Sequence, residues 1–263
     1  RTGYDETIHN NIKVMLKHWS LLLLSTRRTS TSIALTTTTF QRRQLTNTPY
    51  TRTKLSMGWA DTWDDIHNGG NPRWKITDSE SHQTALAHFQ THVTGDPSNI
   101  SVLCPLAGDD PFVHLLWKSG YSVTTIDLVP SAVDALKEQF KSEEEEDDAD
   151  GWSMEETDGT VIWKHASNRA TLMVGDALQK RTELDGTFDA VYDKDSFGAL
   201  ASTMRSAFCT RISEYTKKDA ILYLECKLKP NHADVKDVGP PYSLTEEELM
   251  EDGSYGGGWE YVE

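Results

Sequence analysis

The feature of this sequence that most constrains its fold is a repeated alternation, after about residue 77, of helical patterns with short apolar runs. The apolar runs have the length and the branched side chains of buried strands, and they lie at Ile100–Leu106, Tyr121–Leu128, Thr171–Val174, Phe188–Tyr192 and Ile221–Cys226. The helical patterns lie at Thr77–Val93, Pro111–Ser119, Ser131–Lys141, Ser196–Thr216 and Thr245–Met250. Parallel strands need crossover connections, and right-handed crossovers put helices on both faces of the sheet. The alternation therefore predicts an α/β fold with a doubly wound, mostly parallel sheet.

The first 56 residues differ in composition from the rest of the chain. The segment Met15 to Thr53 is rich in Arg, Ser and Thr and contains no acid, which is typical of an organelle transit peptide. A disordered tail, or translated sequence upstream of a start at Met57, are the alternatives. We therefore predict a leader-like disordered segment over 1–56 and one domain over 57–263. The first interpretation places the protein in a mitochondrion or plastid, and the alternatives place it in the cytoplasm.

The charge of the predicted domain excludes several classes of partner. Residues 1–56 hold nine of the 26 Lys and Arg but only two of the 41 Asp and Glu, so the remainder carries 17 basic and 39 acidic side chains. Such a surface repels nucleic-acid phosphates and anionic lipids. The longest apolar run is also far shorter than the roughly 20 residues that span a bilayer. We expect a monomer that acts on a small molecule, with no nucleic-acid or membrane partner.

Two segments interrupt the strand and helix pattern. Residues 142–158 include the run SEEEEDDAD, which we interpret as a solvated surface insertion because a block of like charges resists burial. The final residues, GGGWEYVE, look like the start of another strand, so a closing antiparallel pair would be incomplete here. The cysteines Cys104, Cys209 and Cys226 have no CxxC or metal-ligand spacing, so we predict buried free thiols and no metal site.

A ligand is expected beyond the carboxyl ends of the strands, where the strand order reverses. The first such loop, PLAGDD, has Gly108 where a backbone can approach a ligand, followed by Asp109 and Asp110. These two acids would repel a diphosphate, and the G-x-G-x-x-G fingerprint of an NAD-dependent oxidoreductase is absent. A ligand with a cationic or zwitterionic end fits better. Asp127 ends the second strand about 20 residues later, where an acid can accept both ribose hydroxyls of an adenosine.

The loops after the third and fourth strands supply further candidates. Asp176 is placed to accept a hydrogen bond from an adenine amino group, and the Ala177 N–H to donate one to a ring nitrogen. Asp193, Lys194 and Asp195 follow the fourth strand and crowd the loop that faces the reacting end of the cofactor. Three consecutive charges are equally typical of a solvated loop, so either interpretation stays open for each of them.

Several motifs in this order resemble the thiopurine S-methyltransferase family, including its plant and algal halide and thiol methyltransferase relatives. They are W-x3-W at Trp59 and Trp63, the aromatic Trp74, VLCPLAGDD, the strand-end acid Asp127, FDAVYDKDSFGAL and GPPYSLTEEEL. The resemblance covers the chain from Trp59 to its end. It implies a Rossmann-like, S-adenosylmethionine-dependent methyltransferase.

The resemblance also implies roles for individual residues. Trp59, Trp63 and Trp74 would fold over the cofactor, with Trp74 near the methyl acceptor, although Trp59 and Trp63 could instead bury one helix face. The resemblance further implies that Leu106 and Gly108 contact methionine and ribose, that Asp127 contacts the ribose, and that Asp176 and Ala177 contact the adenine. It implies that Lys194 belongs to the cofactor site in place of an arginine. Pro240, Pro241 and Tyr242 would lie on the acceptor side. The relatives often carry a cysteine at the position of Ala107.

Methyl transfer from a sulfonium is an in-line displacement that depends on alignment and on exclusion of water. The expected acceptor is a small thiol, sulfide, halide or thiopurine-type molecule. An anionic acceptor needs no base, whereas a neutral thiol with a pKa of about 8.5 must lose its proton. Asp193, Asp195 and His232 are the candidates for removing it. The alternative function is a catalytically inactive module of the same fold that binds the cofactor or another protein.

Overall fold

The computed structural model describes residues 61, 63, 65–66, 68–69, 79–141, 151–251, 253–255 and 259, together with the backbone of 12–18 and 260–261. Every helix in this part of the chain is too short or too polar to cross a membrane.

The described residues form one mixed sheet. Its strands are β1 (Ile12–His18), β2 (Ser101–Pro105), β3 (Ser122–Asp127), β4 (Trp152–Thr157), β5 (Thr160–His165), β6 (Ala170–Val174), β7 (Phe188–Lys194), β8 (Thr216–Cys226) and β9 (Trp259–Tyr261). Their order across the sheet is β4-β5-β6-β3-β2-β7-β8-β1-β9. Only the pairs β4 with β5 and β5 with β6 are antiparallel. From β2 the chain adds β3 and β6 on one side and later β7 and β8 on the other. The strand order therefore reverses between β2 and β7, and this is the switch point at which open α/β sheets bind ligands.

Helices cover both faces of the sheet, so the predicted doubly wound α/β fold is confirmed. The helices are α1 (Ser79–His92), α2 (Pro111–Lys118), α3 (Pro130–Glu138), α4 (Ser196–Ala199), α5 (Ser202–Tyr215), α6 (His232–Val235) and α7 (Glu246–Leu249). Alternate residues along the strands contribute their side chains to two apolar cores on opposite faces of the sheet. Val191 lies in the core with α5, whereas Tyr192 lies in the core with α1, α2 and α3. This alternation decides which side chains after β7 reach the site.

Each of the five predicted strands overlaps an observed one, and the helical patterns are present with one change. The stretch Ser196–Thr216 was expected to be one helix but is divided into α4 and α5 at Leu200 and Ala201, whose backbones are extended. The three cysteines are buried and free, as predicted.

The predicted acidic insertion contains an edge strand. Residues 142–150 lie outside the described part, but β4 pairs with β5 and its side chains after Trp152 are exposed. Trp152 packs edge-on against Phe140 at 5.4 Å between ring centroids, and Lys137 Nζ lies 3.8 Å from the ring of Trp163. These contacts attach the hairpin to the end of α3.

The expectation of a disordered segment over 1–56 is wrong for seven of its residues. Ile12–His18 forms β1 and pairs in parallel with β8 and β9 through its backbone. The composition of this segment did not indicate a strand, because the pairing of one strand with another needs backbone hydrogen bonds rather than a particular charge. The predicted strand at the end of the chain is β9, but it pairs in parallel with β1 and not within an antiparallel pair.

Candidate active site

A cavity of about 680 Å³ lies at the carboxyl ends of β2, β3, β6 and β7. Its volume is in the range of pockets that bind small organic ligands. The lining residues come from the loops after those four strands, from α5 and from two separate positions, Trp63 and Pro241. The cavity therefore occupies the switch point that the order of the strands creates.

The loop after β2 brings backbone to the cavity. Leu106 and Gly108 both have left-handed φ angles, of 47° and 56°, and both line the cavity. A Cβ on Gly108 would lie 2.7 Å from Cζ2 of Trp63, so the buried indole packs directly on this glycine. Trp63 forms a small apolar cluster with Val129 and Ala132. Glycine is needed here both for its φ angle and for the close approach of the indole.

Asp127 closes β3 at the centre of this wall. Its Oδ2 accepts a hydrogen bond from the Gly108 N–H at 3.0 Å, and its Oδ1 accepts one from the Val129 N–H at 2.9 Å. The side chain is only 7% exposed, and burial raises the pKa of Asp127 against the opposing effect of its backbone donors. A carboxylate oxygen can accept more than one hydrogen bond, so Asp127 can also accept hydrogen bonds from a bound diol.

Asp176 and Ala177 line the cavity beside Asp127. Asp176 Oδ1 accepts the Leu178 N–H at 2.8 Å, which closes a tight turn after β6. Arg181 fixes this turn from behind: its guanidinium donates to the carbonyl of Asp176 at 2.7 Å and to that of Gln179 at 3.0 Å. The backbone of the turn is therefore held in place.

Lys194 and Asp110 form an ion pair in the cavity wall. Lys194 Nζ lies 3.3 Å from Asp110 Oδ2, which also accepts a hydrogen bond from the Tyr192 hydroxyl at 3.2 Å. Asp110 Oδ1 caps α2 by accepting the Phe112 N–H at 3.0 Å. Nε2 of the buried His82 lies 3.9 Å from the same oxygen. One carboxylate thus fixes the start of α2 and the position of the lysine.

The two aspartates that flank Lys194 are in different environments. Asp193 is fully buried, does not line the cavity, and accepts hydrogen bonds from the Ser196 N–H and the Tyr255 hydroxyl, both at 3.0 Å. Burial raises the pKa of Asp193 to about 6. The structure does not bring Asp193 to the cavity, because strand alternation turns its side chain into the core beneath the loop. Asp195 lines the cavity.

The third candidate base lies elsewhere. His232 is on α6, where its Nδ1 is 3.0 Å from Ser243 Oγ and its Nε2 is 3.4 Å from Glu248 Oε1. Neither His232 nor these partners line the cavity. The chain after β8 folds back on the 243–248 segment, so the structure does not bring His232 to the cavity.

The far end of the cavity is apolar. Its wall is formed by helices α4 and α5 and by the residue that follows α4, through Ala199, Leu200, Thr203, Met204 and Phe208. Sequence reasoning missed this wall, although the long helical pattern after the fourth strand was a signal that a helix begins at the site.

Of the three residues predicted on the acceptor side, Pro241 lines the cavity, whereas Pro240 and Tyr242 do not. The Tyr242 N–H instead donates to the Gly198 carbonyl at 2.7 Å, and its ring lies 5.4 Å from the Arg205 guanidinium carbon. These contacts hold Pro241 against α4. Trp59 and Trp74 lie outside the described residues.

Comparison with known proteins gives a family match over most of the chain. The model of the family described as thiopurine S-methyltransferase (TPMT) matches residues 58–262. Thiopurine S-methyltransferases of Legionella pneumophila strains Corby and Paris are 27% and 28% identical over 155 residues, which are 58% of this chain and 63% of theirs. The chain therefore matches less than two thirds of the length of these relatives.

Solved structures with related folds are more distant. The 1,6-didemethyltoxoflavin-N1-methyltransferase of Burkholderia thailandensis, with bound S-adenosylhomocysteine, aligns with a TM-score of 0.49 at 15% identity, over 71% of this chain and 69% of that chain. A TehB-like methyltransferase of Corynebacterium glutamicum aligns with a TM-score of 0.37 at 18% identity, over 65% of this chain and 73% of that chain.

Proposed function

Because the chain belongs to the thiopurine S-methyltransferase family, we propose that it transfers the methyl group of S-adenosylmethionine to a small nucleophile. The observation that carries this proposal is the carboxylate of Asp127, held by two backbone N–H groups at the edge of the cavity with lone pairs left for a ligand. A carboxylate at this place in an α/β sheet is suited to the ribose of a nucleoside.

The charge of the cavity also fits this cofactor. Its described lining includes five carboxylates and one ammonium group, namely Asp109, Asp110, Asp127, Asp176 and Asp195 against Lys194. A sulfonium cation is favoured in such surroundings, whereas a diphosphate is repelled. The absence of a Cβ on Gly108 lets the indole of Trp63 pack against the backbone, and both residues line the cavity.

Specific residues would hold the parts of the cofactor. Asp127 would bind the ribose, the turn at Asp176 and Ala177 the adenine, and the loop at Leu106 and Gly108 the methionine. S-adenosylmethionine supplies, when bound, a methyl group activated by a positive sulfur. The protein aligns donor and acceptor for an in-line displacement and excludes water from between them.

Two parts of the wall serve these tasks. The indole of Trp63 and the apolar surface of α5, with Met204 and Phe208, exclude water. The indole also offers a cation–π contact, worth on the order of 1–2 kcal/mol when desolvated. The ion pair with Asp110 fixes the ammonium group of Lys194 in the cavity wall.

We propose a small thiol, sulfide, halide or thiopurine-type molecule as the acceptor, because the far end of the cavity is lined mainly by apolar side chains. The monomeric state, and a location that follows from the leader, remain predictions.

Two measurements on the full chain test the proposal. Isothermal titration should show binding of both S-adenosylmethionine and S-adenosylhomocysteine, and labelled-methyl transfer should then be detected with one member of a panel of thiols, sulfide, iodide and thiopurines. Binding without transfer to any acceptor would favour the inactive module. Absence of binding would refute the proposed function.

A further inference from the structure

Asp195 has an unusual backbone position at the end of the central strand β7. Its φ angle is 59°, in the left-handed region. The Asp195 N–H donates to the carbonyl of Glu225 at 2.8 Å, and its carbonyl accepts the Ala199 N–H at 2.8 Å. Hydrogen bonds on both sides therefore fix this conformation, which costs about 1 kcal/mol or more for a residue with a Cβ. The result is a carboxylate held at the cavity by rigid backbone.

The carboxylate of Asp195 differs from its neighbours in accepting no hydrogen bond from any of the described residues. Asp127, Asp193 and Asp110 each accept at least two hydrogen bonds. In the part of the chain that the structure describes, no hydrogen bond or ion pair reaches the carboxylate of Asp195, although it begins helix α4. A partly buried carboxylate that lines the cavity without a protein donor keeps its lone pairs available to a ligand that supplies one.

The surroundings of this carboxylate disfavour an anionic acceptor. Lys194, the one ammonium group among the described lining residues, is paired with Asp110. An entering iodide or bisulfide would therefore meet carboxylates that outnumber the positive charges of Lys194 and of the bound sulfonium. A neutral acceptor that carries a proton avoids this repulsion and also supplies the donor that Asp195 lacks.

We propose that Asp195 is the general base of this enzyme and that the acceptor binds as a neutral thiol. This inference rests on the proposed methyltransferase function. The thiol S–H donates to an oxygen of Asp195, and a sulfur lone pair forms the new bond to the methyl carbon. The bond between that carbon and the sulfonium sulfur breaks, its electron pair neutralises the sulfonium, and the thiol proton goes to Asp195. The products are a thioether, S-adenosylhomocysteine and a protonated carboxyl group.

The charges that face Asp195 are compatible with this role. Burial raises the pKa of Asp195 to about 6, with Glu225 and Asp110 acting in the same direction and Lys194 and Lys227 opposing them. The group is therefore ionised at neutral pH yet a stronger base than an exposed aspartate. The apolar wall from α5 suits a weakly hydrated thiol better than an ammonium ion, which would lose its hydration there.

The test compares acceptors with and without a proton. We would measure kcat/KM at neutral pH for 2-mercaptoethanol, which is protonated, and for 5-thio-2-nitrobenzoate and iodide, which are anions. The variant is Asp195→Asn, because asparagine tolerates a left-handed φ angle and removes only the charge. Asp195→Gly, which also accepts this backbone, provides a second variant. The matched control is Asp134→Asn, an exposed aspartate on α3 outside the cavity.

The wild-type protein should prefer 2-mercaptoethanol to iodide. Both Asp195 variants should lose about 100-fold in kcat/KM for 2-mercaptoethanol, the contribution typical of a general base, and less than about tenfold for the aromatic thiolate. The ratio of iodide to 2-mercaptoethanol transfer should rise in both variants and stay at the wild-type value in Asp134→Asn.

Equal losses for all three acceptors, or a wild-type preference for iodide, would overturn the role of Asp195 while leaving the methyltransferase function intact. Binding of S-adenosylhomocysteine without transfer to any acceptor would overturn both.

Discussion

Substitution of Asp127 by asparagine tests the centre of the proposed site with almost no change of shape. Both carboxylate oxygens accept backbone N–H groups, from Gly108 at 3.0 Å and from Val129 at 2.9 Å. An amide has only one oxygen, so one of these two buried N–H groups must face the new NH2 group. In the variant, the amide NH2 group and a backbone N–H group therefore face each other as two donors, inside the wall that joins the loops after β2 and β3.

The magnitudes follow from this geometry. A hydrogen bond to a charged group contributes about 1.5–3 kcal/mol, but the variant also removes a carboxylate whose burial raises its pKa. We expect the free energy of unfolding of the cofactor-free protein to fall by about 1–2 kcal/mol. Loss of the charged acceptor for the ribose should weaken cofactor binding by about 10- to 100-fold, because each 1.4 kcal/mol corresponds to tenfold in Kd.

Isothermal titration with S-adenosylhomocysteine measures this effect, and thermal unfolding without ligand establishes that Asp127→Asn is folded. Asp134→Asn removes the same charge from an exposed position and should bind as the wild-type protein does. A folded Asp127→Asn variant with unchanged affinity would remove Asp127 from the site and would refute the assignment of the ribose to this wall.

Three further outcomes follow from the same structure. Gly108→Ala should weaken cofactor binding by about tenfold in titration, because its Cβ would stand 2.7 Å from the Trp63 indole at a strained φ of 56°. Arg181→Lys should raise the Kd for S-adenosylhomocysteine by about three- to tenfold, since one ammonium group cannot replace a planar fork that donates to two carbonyls and a hydroxyl. The raised pKa of Asp193 means that its ionisation destabilises the fold, so its contribution to stability is present below pH 3.8 and is lost as the pH rises to about 6. Thermal unfolding of Asp193→Asn across this range should show a weaker decline with pH than the wild-type protein.

The sheet was predictable because its central strands are buried on both faces and read as continuous apolar runs. The hairpin of β4 and β5 was not, since the acidic run beside it suggests a solvated loop and the exposed side of an edge strand carries no apolar signal. The pairing of β1 was also beyond reach, because an added strand joins through backbone groups that every sequence possesses.

The sequence indicated the loops that line the cavity but not the direction of their side chains. Asp193 and Lys194 are consecutive, and strand geometry sends consecutive side chains to opposite faces. The register of β7, once anchored at Val191 and Tyr192 in the two cores, places Asp193 in the core and Lys194 beside Asp110. That register depends on helices packed from both sides, which composition and spacing do not determine.

The hairpin of β4 and β5, whose first strand lies in the predicted acidic insertion, is also connected to the site. Thr160, the first residue of β5, accepts a hydrogen bond through its hydroxyl from Arg181 at 3.1 Å. The same guanidinium holds the carbonyls of the turn that carries Asp176, and a Cβ on Gly175 would lie 2.6 Å from it. Because the guanidinium occupies this space, the hairpin cannot shift without disturbing the turn that would bind adenine. The second strand of this hairpin, which follows the predicted acidic insertion, therefore helps to shape one wall of the cavity.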